Sequence, residues 1–151
     1  MQNSFRNYSI RDKYLPKCLL ICLLNFMKFA YILVGGAIGS LLRYVIVDFI
    51  ASKNTTVFPV GTFTVNIVGS LLIGFLFGLF SLNGELLDDK IKFLIFVGFL
   101  GGFTTFSSFA LENMKLLNDG LFSSALFYVL LSNIIGIGIA FVGYNIAMKI
   151  R

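Results

Sequence analysis

The sequence predicts an all-α integral membrane protein with four transmembrane helices, and three observations predict it. Hydrophobic residues make up 58% of the chain and charged residues 13%, with a mean hydropathy of +0.92, well outside the range of a soluble globular domain. Apolar segments run over 29–50, 60–82, 91–111 and 121–148, each long enough for the ~20 residues that cross a bilayer. The connections are short and carry turn and charge signals: Ser52-Lys53-Asn54-Thr55 followed by Pro59, Asn83-Gly84-Glu85 through Lys90, and Lys115 through Gly120. Consecutive helices joined this closely are expected to be antiparallel neighbours in a hairpin bundle, with both ends of the core on one side.

Residues 28–151 form one membrane domain, and residues 1–27 read as an extension. That extension holds Arg6, Arg11, Lys13 and Lys17 before a brief apolar run, 18–24. The run is short for a signal peptide and no small-residue cleavage site follows it. A disordered or partly helical tail, or a start assigned too far upstream of Met27, is expected instead. Orientation follows Lys and Arg in short loops. Lys28, Lys90, Lys92, Lys149 and Arg151 lie on the side of the termini, against Lys53, Lys115 and Arg43, a weak bias. The four basic residues of the tail turn it into a strong one, with the N-terminus inside.

The chain has no His, and Cys18 and Cys22 sit at i, i+4 in an apolar run, too close on a helix for a disulfide. Redox and zinc chemistry are not implied. An enzyme is not expected either, since no carboxylate pair and no nucleophile with a base partner appears. No nucleotide-binding loop couples the chain to ATP.

In the first span Gly35 and Gly39 are at i, i+4 beside Gly36 and Ser40, and the second span repeats the spacing at Gly74 and Gly78. Small residues let helix backbones approach in lipid, so these are packing faces. Arg43 lies about 21 Å along its helix from Phe29 at ~1.5 Å per residue, inside the membrane. Two readings stay open: it snorkels to the headgroups beside Asp48, or it faces a water-filled vestibule that draws anions. Asn66, early in the second span, either makes an interhelical hydrogen bond or offers its NH2 to an anion.

The third span carries Gly98-Phe-Leu-Gly-Gly-Phe-Thr-Thr-Phe-Ser-Ser-Phe109, two adjacent glycines and four hydroxyls in an otherwise apolar segment. Unpaired backbone groups cost several kcal/mol each in hydrocarbon, so a weakened helix there needs protein, an ion or water to satisfy it. Gly101 and Gly102 each lower helix propensity by roughly 1 kcal/mol, so a break over Gly101–Thr104 is expected to free carbonyls, which bind hard cations. Phe106 and Phe109 share a face at i, i+3 with Thr105 and Ser108 beside them. Ring edges are weakly electropositive and hydroxyls donate, so this face either stands in for water around a small anion or is simply core. In the fourth span Tyr128, Ser132 and Gly136 fall on one stripe, a polar track or else an aromatic-belt tyrosine with a packing serine.

Together these motifs resemble the CrcB/Fluc fluoride channels, small four-helix exporters of fluoride. The resemblance covers residues 28–151 and rests on Gly35-Gly-Ala-Ile-Gly-Ser-Leu-Leu-Arg-Tyr44, Gly61-Thr-Phe-Thr-Val-Asn-Ile-Val-Gly69 and, above all, the 98–109 segment. It implies a multi-pass protein of the cell membrane that passes fluoride passively. It also implies an antiparallel homodimer inserted in both orientations, or a pairing with a homologous, oppositely oriented subunit. Two fluoride pores and a structural Na+ at the two-fold axis belong to the same likeness. By it the carbonyls of Gly101 and Thr104 resemble sodium ligands, Phe106 and Phe109 the paired pore rings, and Asn66 the pore asparagine. Tyr128 and Ser132 resemble the start of the polar track, while Gly136 departs from it where many members keep a hydroxyl. The basic tail also departs from the pattern, because it opposes dual insertion.

Two other classes are weighed against this one. A proton-coupled exporter needs a membrane-embedded carboxylate, and Asp48, Glu112 and Asp119 all read as near helix ends. A noncatalytic membrane scaffold explains the glycines and leaves 104–109 without a reason.

Overall fold

The computed structural model describes the backbone of residues 6–82 and 89–150 and the side chains of 26–81 and 90–150. The turn expected at Asn83-Gly84-Glu85, the side chains of Arg6, Arg11, Lys13, Lys17, Cys18 and Cys22, and Arg151 lie outside the described residues. All the regular structure among those described is helical. Helix α1 runs Arg6–Lys53, α2 Val60–Leu82, and α3 Asp89–Lys92, which leads into a π-helical stretch, Phe93–Leu100. A single turn, α4, covers Gly101–Phe103, followed by α5 at Phe106–Asn118 and α6 at Phe122–Lys149. Four segments are long and apolar enough to cross a membrane: Phe26–Lys53, Val60–Ser81, Lys90–Asn118 and Phe122–Lys149. The chain is therefore a multi-pass membrane protein.

The third span is longer than expected, because α5 continues past Lys115 to Asn118 and only then turns. Gly120 makes that turn with φ of 74°. Its N–H donates to Leu117 O and the Leu121 N–H to Leu116 O, the paired bonds of a Schellman motif, so the last carbonyls of α5 are capped and α6 starts at once.

Packing follows the glycines. A side-chain carbon on Gly35 would strike the Leu94 carbonyl, one on Gly39 the Phe99 carbonyl, and one on Gly102 the Gly36 carbonyl. Helix α1 and the third span therefore touch backbone to backbone. The same holds for α2 and α6, where Gly74 meets the Ala140 carbonyl, Gly143 the Leu71 carbonyl, and Gly78 Ala147 and Tyr144. In both pairs the contacts rise in number together along the two chains, so each pair is parallel. The tightest neighbours are thus alternate helices and not the consecutive, antiparallel ones that short loops suggest. Loop length fixes only where a helix begins; in lipid, where apolar burial does not discriminate, the faces that let backbones approach decide which helices pack.

The core is thin, with Val65, Leu100, Phe103, Leu116, Ala125, Tyr128 and Ala147 its buried hydrophobic members among the described residues. Large apolar side chains such as Phe29, Leu41, Phe77, Phe106, Ile134 and Phe141 point outward. Gly143→Ala is expected to lose about 1–3 kcal/mol through overpacking, seen as a lower melting temperature in detergent. Gly138→Ala, with open space where its new carbon would stand, is expected to melt like the parent protein.

Candidate functional site

Helical dihedrals lapse inside the third span at two residues, Thr104 (φ −87°, ψ 156°) and Thr105 (φ −148°, ψ 121°). Gly101 is itself helical (φ −62°, ψ −34°), so the interruption lies just beyond the glycine pair. Side chains, more than glycine flexibility, account for it. Asn66 Oδ1 accepts from the Thr105 N–H at 2.9 Å and Asn66 Nδ2 donates to the Thr105 carbonyl at 3.1 Å, so one amide holds both polar groups of an extended residue. Thr105 then caps α5. Its Oγ1 accepts from the Ser108 N–H at 3.2 Å, donates to Ser108 Oγ at 3.2 Å, and lies 3.3 Å from Ser107 Oγ.

These bonds redirect donors. In an unbroken helix the Thr105 N–H bonds to Gly101 O and the Ser108 N–H to Thr104 O. Here the first goes to Asn66 and the second to the Thr105 side chain. The Gly101 and Thr104 carbonyls are the two whose helical donors are diverted to side chains, a donor set of hard oxygens suited to an alkali cation. Among the described residues no group of three or more His, Cys, Asp or Glu is placed to hold a metal.

Arg43 has a protein partner that neither reading of the sequence named. Its Nε donates to the Gly102 carbonyl at 3.0 Å, with Ser40 Oγ at 3.5 Å from the same oxygen. The charge thus sits against the last carbonyls before the interruption, which have lost their next helical turn. It braces α1 on the third span.

Phe106 and Phe109 have ring centroids 5.6 Å apart and inclined at 41°. Their surroundings differ. Phe106 is 79% exposed, projecting away from the rest of the chain. Phe109 packs on Tyr128 at 4.9 Å, in a cluster with Phe58 and Phe63.

Tyr128 is fully buried and leads to Glu112, whose place in the site its position near a helix end did not suggest. Its hydroxyl donates to Glu112 Oε2 at 2.9 Å, and Thr62 Oγ1 donates to Glu112 Oε1 at 2.6 Å. A carboxylate read as lying near a helix end is held between α2 and α6 by two hydroxyls. It opens on a cavity of about 340 Å³ lined also by Thr56, Lys115 and Asp119. The signal was present in the spacing: Glu112 follows Phe109 by three residues and Ser108 by four, on the same face. Four residues beyond Tyr128, Ser132 has its Oγ buried without a hydrogen-bond partner.

A second cleft, of about 390 Å³, lies on the far side of Asn66 and is lined by Ser70, Phe96, Gly101, Thr104 and Phe106 as well. The structure therefore gathers Asn66, Thr105, Ser108, Phe106 and Phe109 in one place, with Gly101 and Thr104 against it. Tyr128 joins through Phe109 and Glu112, while Arg43 stands apart.

Comparison with known proteins places the chain in a family. Residues 30–144 match the family model described as "CrcB-like protein, Camphor Resistance (CrcB)". A protein of Azobacteroides pseudotrichonymphae named fluoride-specific ion channel FluC is 42% identical over 111 residues, covering 74% of this chain and 88% of that one. A protein of the same name from Parabacteroides distasonis is 39% identical over 129 residues, covering 82% and 95%. Another, from Hydrogenobaculum, is 42% identical over 112 residues, covering 73% and 88%. The match reaches into all four membrane segments, and the chain belongs to the CrcB-like family.

Proposed function

We propose that this chain is a subunit of a fluoride-selective, passive channel that lets fluoride leave the cytoplasm across the cell membrane and so lowers its toxicity. The observation that carries the reading is the clamped interruption at Thr104–Thr105 beside Phe106 and Phe109, in a chain whose relatives are named fluoride-specific ion channels. Fluoride is small and tightly hydrated, so its pathway must offer several modest donors in place of water and still release the ion. The hydroxyls of Ser108 and Ser132, the second N–H of the Asn66 amide and the edges of Phe106 and Phe109 are donors of that kind, and the Thr105 and Tyr128 hydroxyls join them where the anion replaces Ser108 Oγ and Glu112 as acceptor. Arg43, although bonded to Gly102, adds a positive charge that favours anions nearby. Hydrogen fluoride that enters from an acidic medium dissociates inside. The anion then leaves down an inside-negative potential, which contributes about 2.3 kcal/mol per charge for each ~100 mV.

The working unit in this proposal is an antiparallel homodimer, or a pair with a homologous subunit of opposite orientation. The outward projection of Phe106 supports a second subunit facing the interruption. A Na+ ion held by the Gly101 and Thr104 carbonyls of both subunits fits the diverted donors described above. Such an ion would neutralise the freed carbonyls and pin the subunits together.

A second reading has one observation in its favour. Glu112, inside the third span and gripped by Thr62 and Tyr128, is a membrane-embedded carboxylate of the sort a proton-coupled exporter uses. The clamp and the paired rings have no part in that mechanism, and a noncatalytic scaffold leaves them unexplained as well.

Fluoride efflux from proteoliposomes, with valinomycin and potassium setting the voltage, separates these readings. Voltage-driven fluoride release without chloride release is expected; release that follows a proton gradient at zero voltage would favour the exporter. Phe106→Ile and Asn66→Asp are each expected to bring fluoride efflux down to the background leak while the protein still elutes as a dimer. Normal efflux in both would remove these residues from the pathway. Exchange of Na+ for N-methylglucamine throughout purification is expected to convert the dimer to monomer on size exclusion and to abolish efflux. A dimer that survives the exchange with full efflux would remove sodium from the proposal.

A further inference from the structure

Helices α2 and α6 run parallel with a fixed offset. The contacts Gly74 with Ala140 and Gly78 with Tyr144 both pair residues 66 apart, and so does the approach of Ser70 to Gly136. At the same offset Thr62 pairs with Tyr128, and these two grip the same carboxylate of Glu112. Asn66 and Ser132 are the pair between. Two stripes at i, i+4, i+8 thus face each other: Thr62, Asn66 and Ser70 on α2, and Tyr128, Ser132 and Gly136 on α6. The α6 stripe ends without a hydroxyl at Gly136. A carbon added there would lie 3.6 Å from Ser70 Oγ, so the Ser70 hydroxyl stands at the edge of the space that a residue 136 side chain would enter. Ser70 also lines the cleft beside Asn66, Thr104 and Phe106. Its neighbour one turn back in the α6 stripe, Ser132, has a buried hydroxyl oxygen with no protein partner, a polar site left open for a passing ion or water.

We propose that Ser70 is a pathway residue of this channel, its hydroxyl supplying from α2 the donor that α6 lacks at Gly136. The proposal rests on the fluoride-channel reading above and extends the pathway by one residue past Asn66. A hydroxyl is suited to the task because it donates to an anion and rotates to accept from its neighbour, and so binds without trapping. The track therefore crosses from α6 to α2 between Ser132 and Ser70, a switch of helix that the 66-residue register makes possible.

The test is fluoride efflux from proteoliposomes for four proteins: the parent, Ser70→Ala, and Ser70→Ala combined with either Gly136→Ser or Gly136→Ala. The space beside Gly136 accepts an added carbon at ordinary contact distance, so both double variants are expected to fold and dimerise. Ser70→Ala is expected to slow efflux about five- to tenfold, the loss of one modest hydrogen bond. Gly136→Ser is expected to restore it, and Gly136→Ala to leave it slow. Unchanged efflux in Ser70→Ala, or equal rescue by alanine and serine, would overturn the proposal while leaving the channel reading in place. A parent protein that passes no fluoride would instead overturn both.

Discussion

A peptide group in the middle of an apolar span has to be hydrogen-bonded to something, and at Thr105 that partner is the Asn66 amide. The two bonds, 2.9 and 3.1 Å, satisfy the N–H and the C=O of a residue that has left the helix. Without them the interruption would leave two polar groups bare at membrane depth, at a cost of several kcal/mol each, and the span would close into continuous helix. With them, the chain can hold a two-residue extended segment and restart at Phe106 under the Thr105 cap. The diversion of the Thr105 N–H from the Gly101 carbonyl depends on that one side chain, while the Thr105 hydroxyl diverts the Ser108 N–H from the Thr104 carbonyl.

Asn66 can act this way only because α2 is held in a fixed register against its neighbours. The glycine contacts leave no freedom to slide, since backbone meets backbone at Gly74 and Gly143. Parallel pairing of α2 with α6 at constant offset brings two polar stripes face to face, and the third span crosses them at Glu112, Phe109 and Thr105. Parallel pairing of α1 with the third span fixes the other side, where Arg43 reaches Gly102. The polar groups are therefore sandwiched between two rigid pairs. Small residues supply that rigidity without any hydrophobic drive between helices.

The two phenylalanines divide the labour in a way their spacing conceals. Phe109 is anchored, packed on Tyr128 within its own chain. Phe106 projects outward at 79% exposure, and its surroundings are completed by whatever lies against that face. One ring is held by the packing of its own chain, and the other is left at the surface.

The sequence by itself determined the class of the molecule and most of the parts. Apolar length placed four spans, and the 98–109 segment singled out the third span as the place where a polar task is done. Spacing put Phe106 with Phe109 and Thr105 with Ser108, because i, i+3 and i, i+4 relations are properties of a helix alone. The tertiary structure decided everything that depends on which helices touch. That the Asn66 amide pairs with Thr105, that Arg43 reaches Gly102 and that Thr62 meets Glu112 are relations across 39 to 59 residues, which local periodicity does not encode. Loop lengths suggested consecutive neighbours, whereas glycine faces chose alternate ones. Local sequence fixes the turn of a helix; only close contact between backbones fixes its partner.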